Sequence, residues 1–214
     1  MKRLVVILYL FVAGGTIFSC VSSKTTSKNS SFTNTQAALI MAADSLQPMR
    51  VFKINNPSDS ILLRTPSEAI AVKPNDPVLQ NFIDRLYRTV RDSMSLGVGI
   101  AAPQVGILKK IIWVQRFDKE GFPFEVYLNP EIVQYSKLTQ ECLEGCLSIP
   151  NQRDTLSSRA YAIMIEYDKM DQSRVTEMVE DFTAVIFQHE IDHLNGILYT
   201  DHLQEEMEQA KRKE

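Results

Sequence analysis

Residues 187–194 read Phe-Gln-His-Glu-Ile-Asp-His-Leu and place two imidazoles four positions apart. On a helix, positions i and i+4 share a face, so His189 and His193 can converge on one metal ion. Glu190 follows the first imidazole, where its carboxylate can act on metal-activated water without taking a ligand position. Zinc metallopeptidases use this spacing. The bland alternative is a helix with two histidines satisfied at the surface or in the core. Phe182, Val185 and Ile186 lie seven, four and three residues before His189, on the same face. They would wall a pocket or simply fill a core.

A catalytic site of this kind takes three protein ligands and keeps one position open. Downstream, His202 is available, but the metzincin form would need His at position 199, which is Tyr199. Upstream, the string Glu144-Gly145-Cys146-Leu147-Ser148-Ile149-Pro150 offers a thiolate, a strong ligand for zinc or ferrous iron. Gly145 beside it allows a close backbone approach. Cys142 is the competing candidate, and either cysteine alone is more commonly a small buried hydrophobe.

Three strings stand in the order Gly97-Val98-Gly99-Ile100-Ala101-Ala102-Pro103-Gln104, then Glu144 to Ser148, then Gln188 to His193. In this order they resemble the signature motifs of the peptide deformylases, over about residues 50–205. The resemblance implies that Cys146, His189 and His193 hold one divalent metal ion, Fe2+ in the family, with Zn2+ or Ni2+ able to replace it. It implies Glu190 as general base and proton donor, with Gln104 and the backbone amide of Leu147 as the oxyanion hole. Gly97, Gly99 and Glu144 would border the bound N-formyl-methionyl peptide, and Arg153 would lie near its backbone. Val98, Phe182, Val185 and Ile186 would line the methionine pocket. The rival readings are a metalloprotease or amidase using the same helix, and a non-catalytic peptide-binding relative.

Positioning these groups requires an α+β domain, with short antiparallel sheets around the helix that carries the histidines and a C-terminal helix. Asp76-Pro77 starts a helix, and Val78, Leu79, Phe82, Ile83, Leu86 and Val90 continue it at helical spacing to about Met94. Ile111–Gln115 and Phe124–Leu128 read as strands joined by a turn at 118–121, and Ala160–Tyr167 with Arg174–Val179 as a second hairpin. The histidine helix runs from about Asp181 to Leu194 and stops at Asn195-Gly196. His202–Lys213 forms the charged terminal helix.

The 214 residues suit one domain with an appendage, here 46–214, and the composition is ordinary at 44% hydrophobic and 23% charged. A net charge of -3 argues against a broad nucleic-acid surface. Three cysteines are too few for a disulfide scaffold. A monomer is expected. Lys2 and Arg3 precede an apolar run to Phe18, the form of a signal peptide, and Ser19-Cys20 resembles the end of a lipobox. Residues 1–20 are thus expected to be an export segment with Cys20 lipidated, and Ser/Thr-rich residues 21–45 a flexible tether to the membrane. This places the protein at the cell envelope, or in the cytoplasm if the segment is not a working signal.

Overall fold

The computed structural model describes residues 31–92 and 97–212. The expected signal segment, with Cys20, lies outside them. Ser31 onward belongs to the folded unit, so residues 31–45 of the expected tether are structured. Thr33 caps helix α1 (Asn34–Ile40) in a reciprocal box with Gln36. Phe32 and Ile40 are buried, and the Phe32 ring meets Phe82 edge-on at 5.8 Å. Asn56 caps α2 (Pro57–Leu63).

Helix α3 (Pro77–Val90) begins as its sequence directs, with the Asp76 carboxylate accepting from Val78 and Leu79 N–H. It buries Leu79, Phe82, Ile83, Leu86 and Val90. It stops at Val90 rather than near Met94, because the Val90 carbonyl accepts from Gly97 N–H at 3.0 Å. Strand β1 (Gly99–Ala101) and a 3-10 turn (Ala102–Val105) follow Gly97.

Strands β2 (Ile111–Gln115) and β3 (Phe124–Tyr135) pair antiparallel. Asn129-Pro130 suggests a break after Leu128, yet β3 continues through it by register shifts. The Asn129 amide substitutes for ladder bonds, accepting from Ile70 N–H at 2.7 Å and donating to Ile70 carbonyl at 2.8 Å. The hairpin β4 (Thr139–Cys146) and β5 (Ile149–Ala160) was not predicted; it forms its own two-stranded sheet. Its strands are rich in Glu, Gln, Ser, Asp and Arg and carry no clean alternation, so nothing local marks them as strands. Strands β6 (Ala162–Asp168) and β7 (Arg174–Glu180) complete a five-stranded sheet in the order β1-β2-β3-β6-β7.

Helix α4 (Asp181–Leu194) lies on one face of that sheet and α3 on the other. Ile100, Ile111 and Leu128 pack with α3, whereas Ala101, Ile112, Val114 and Tyr127 pack with α4. Alternation along each strand divides the two cores. Helix α4 buries residues on every side, with Thr183 through Gln188 all covered. This is the signature of a central helix rather than an amphipathic one. Gly196 ends it at φ 74°, and a Cβ there would lie 2.5 Å from the Arg64 carbonyl oxygen. Helix α5 (Tyr199–Lys211) starts three residues before the expected His202, since Asp201 reaches back to accept from Leu198 N–H at 2.9 Å. The α+β architecture is the one expected. Among the described residues no helix is long and apolar enough to cross a membrane.

Candidate metal centre and active site

The hairpin β4–β5 delivers Cys146 to the buried face of α4. Ligand atoms of Cys146, His189 and His193 lie within 4.8 Å of one another. Cys146 Sγ is 3.2 Å from His193 Nε2. His189 Nδ1 lies 2.7 Å from Glu144 Oε2, which leaves Nε2 free to face the cluster. A carboxylate behind a ligating imidazole fixes its ring and tautomer, as metal sites require. Burial works against a Cys146 thiolate, but His193 and His189 outweigh it and hold the thiol well below its usual range. The set fits a single divalent cation: one soft thiolate, two imidazoles, and room for a fourth position. Cys142 and His202 are not part of it. Cys142 Sγ sits against the Leu143 carbonyl, and His202 Nε2 meets Asp192 at 2.9 Å. Tyr199, at the position where a metzincin would carry histidine, stacks on the His189 ring at 6.0 Å.

Behind the ligands runs a buried chain of charge. Arg159 grips Glu144 with two bonds, 2.6 and 3.0 Å, and Asp192 with a third of 2.6 Å. Burial alone would raise Glu144, yet His189 and Arg159 hold it below the usual carboxylate range. Neither Arg159 nor Asp192 stood out in the sequence. Removing one partner of such a group strands the others, at a typical cost of ~3–5 kcal/mol. The Arg159→Met variant is therefore expected to lose a comparable amount in denaturant unfolding, together with metal affinity. A change below ~1 kcal/mol would mean that the chain is not structurally important.

Glu190 is buried, and its Oε2 has no hydrogen-bond partner among the described residues. Burial pushes this carboxyl up to about 7, against the pull of His189 and His193. Gly99 makes the close approach possible. A Cβ there would fall 2.5 Å from Glu190 Oε1 and 2.8 Å from Ile186 Cγ2. The Gly99→Ala variant should displace the carboxylate and lower kcat by ~100-fold, since a small misplacement of a reacting group has this effect. Unaltered kcat would show that α4 yields freely. Gln104 is held by its own Oε1, which accepts from Ala101 N–H at 2.9 Å, and this turns Nε2 toward Cys146 at 3.6 Å and Ser148 Oγ at 3.3 Å.

A cleft of about 810 Å3 opens over these groups, within the ~300–1,000 Å3 usual for small-ligand sites. Gly97, Val98, Gly99, Gln104, Glu144, Cys146, Leu147, Arg153, Phe182, Val185, Ile186, His189 and Glu190 line it. Every site residue proposed from the sequence within 97–190 is thus in one place, and His193 joins through the ligand cluster. Lys53, Leu143, Ile149, Asn151 and Gln152 also line the cleft, unanticipated because no motif contains them as functional positions.

A central His-Glu-x-x-His helix, a thiolate brought from a separate hairpin and a cleft above them define a metal-dependent hydrolase. Within that class, the polypeptide deformylase family model matches residues 48–209. A peptide deformylase of Desulforudis audaxviator is 39% identical over 155 residues, covering 72% of this chain and 94% of the relative. Solved peptide deformylases from Acinetobacter baumannii (with Met-Ala-Ser bound) and Thermotoga maritima each superpose with 32% identity. The first has a TM-score of 0.64 and covers 72% of this chain and 98% of the relative. The second has 0.63, covering 73% and 97%. The chain belongs to the polypeptide deformylase family and is a hydrolase that removes the formyl group from formyl-methionyl peptides.

Proposed function

We propose that deformylation is carried out by Glu190 as general base and then acid, with Cys146, His189 and His193 holding one divalent cation. When bound, the cation supplies Lewis acidity, lowering the pKa of water toward neutrality and polarising a carbonyl. Glu190 takes the proton of the attacking water and returns it to the amine as the C–N bond breaks. Formate and a free N-terminal methionine result. Gln104 Nε2 and the Leu147 N–H donate to the oxygen that gains charge as the formyl carbon becomes tetrahedral, and one such donor is typically worth ~100- to 1,000-fold. Strand β1 is an edge strand of its sheet and Gly99 lines the cleft, which supports a peptide added there as a further strand. Val98, Phe182, Val185 and Ile186 receive the methionine side chain, while Gly97, Glu144 and Arg153 border the peptide.

The observation that carries this reading is the convergence of three ligand atoms beside the unengaged Glu190 Oε2 and the Gln104 amide. Formyl-Met-Ala-Ser and its unformylated form test it, the choice of peptide being supported by the Met-Ala-Ser complex of the Acinetobacter relative. Formate release from the first, with the second left intact, is expected. Cleavage of internal peptide bonds would favour the metalloprotease reading, and absence of any hydrolysis by metal-loaded protein the binding-only one. Fe2+ is the proposed native ion, with Zn2+ and Ni2+ as replacements, and elemental analysis decides among them. The domain is further proposed to act as a monomer at the cell envelope, anchored through Cys20. Membrane partition that is unchanged in Cys20→Ala would defeat that anchor.

A further inference from the structure

Two cations, Lys53 and Arg153, line the cleft. Lys53 belongs to a segment stitched to the site on both sides: Phe52 N–H donates to the Gln104 carbonyl at 2.7 Å and Ile54 N–H to the Ser148 carbonyl at 3.0 Å. Its own N–H donates to Asp59 at 3.0 Å, so the backbone that carries the ammonium is fixed. Arg153 pairs across from Gly145 in the hairpin, and its stem lies directly over that glycine. A Cβ on Gly145 would come within 3.0 Å of Arg153 Cγ and 3.2 Å of Nε. Both side chains are exposed, and neither has an ion-pair partner among the described residues. The acids that line the cleft are Glu144 and Glu190. Glu144 is already neutralised by Arg159 and His189, and Glu190 lies buried beside the ligands. Cys146 and His189 belong to the ligand cluster and the remaining lining residues carry no charge, so Lys53 and Arg153 are two unpaired positive charges in a protein whose net charge is negative.

We infer that the cleft binds the free C-terminal carboxylate of short formylated peptides, with Lys53 and Arg153 as its anchors. The inference rests on the deformylase reading and names the substrate class within it. A formyl group removes the α-ammonium charge, so a short formyl-peptide with uncharged side chains carries a single charge, its terminal carboxylate. With the formyl carbon at Glu190, the chain extends along the cleft and its far end meets the cationic wall. A longer polypeptide carries its carboxylate beyond the cleft and gains nothing from these two residues. Arginine and lysine together suit a carboxylate, one through its planar fork and the other as a mobile point charge.

The test compares formyl-Met-Ala-Ser with its C-terminal amide, using metal-loaded full-length protein at low and high salt. The acid is expected to exceed the amide in kcat/KM by about three- to tenfold, mainly through KM, as suits exposed charge pairs. The preference should shrink as salt screens it. In Lys53→Gln the acid-to-amide ratio should fall toward one, and in Lys53→Arg it should be kept. Equal kcat/KM for acid and amide in the wild type, or an undiminished ratio in Lys53→Gln, overturns the inference while leaving deformylation intact. Failure to release formate from either peptide would instead overturn the deformylase reading itself.

Discussion

Cys146→Ala is expected to purify without bound metal and without measurable formate release. The substitution removes one of the three ligand atoms that lie within 4.8 Å of each other. Losing an outer partner of a metal ligand costs ~10–100-fold in affinity, and losing a direct ligand costs more. The fold should survive. Cys146 ends β4 and turns through Leu147-Ser148 into β5, and the hairpin's register rests on backbone pairing from Thr139 to Gly145. Circular dichroism matching the wild type, with elemental analysis falling from near one metal per chain to near zero, is the predicted pair of results. Chelation should lower the Tm of the wild type, because an ion that binds only the folded state stabilises it, and should not move that of the variant. Cys146→Asp restores an anionic ligand of harder character and should recover part of the metal with an altered preference. Full metal content in Cys146→Ala would mean that the ion is held by a different set of residues.

Glu190→Gln should keep the metal and lose turnover. The amide occupies the same volume in the buried site but cannot take up a proton, and a positioned base contributes ~100- to 10,000-fold. The expected signature is a fall in kcat of that size with KM little changed, since the carboxylate acts in the transition state rather than in holding the peptide. Stability should move the other way. Glu190 Oε2 is a buried acceptor without a partner among the described residues, and an ionised carboxylate there is costly. The metal-free variant is therefore expected to unfold at a temperature no lower than the metal-free wild type, the usual exchange of stability for activity. A normal kcat in Glu190→Gln would move the base elsewhere, and a metal-free variant would show that Glu190 is a ligand.

Local signals account for much of what could be read in advance. Asp76-Pro77, the apolar stripe of α3 and the Asn195-Gly196 stop act within a few residues, and each marks its helix end in the structure except the far end of α3. There the Val90 carbonyl accepts from Gly97 N–H, a contact that the stripe does not announce. Helix α1 carried a readable sign, Thr33 with Gln36 three positions on, hidden by the Ser/Thr-rich composition around it. The hairpin β4–β5 had no sign at all. Its polar strands are held by pairing with each other and by contact with α4 and α5, which is a property of the assembled chain.

The metal centre shows the same division at closer range. The sequence by itself determined that His189 and His193 share a face with Glu190 beside them, because helical periodicity is local and four residues make one turn. It also supplied the thiolate and the deformylase-like strings. The family resemblance named Cys146 as the third ligand, but residue types and spacing alone left Cys142 and His202 open; the tertiary structure brings Cys146, 47 residues before His193, to the pair and leaves the other two outside. Only there does Arg159 bind Glu144 and Asp192 together, and only there does Lys53 reach the cleft wall. Contacts of this kind follow from how strands close on one another across long loops, and no periodicity along the chain records them.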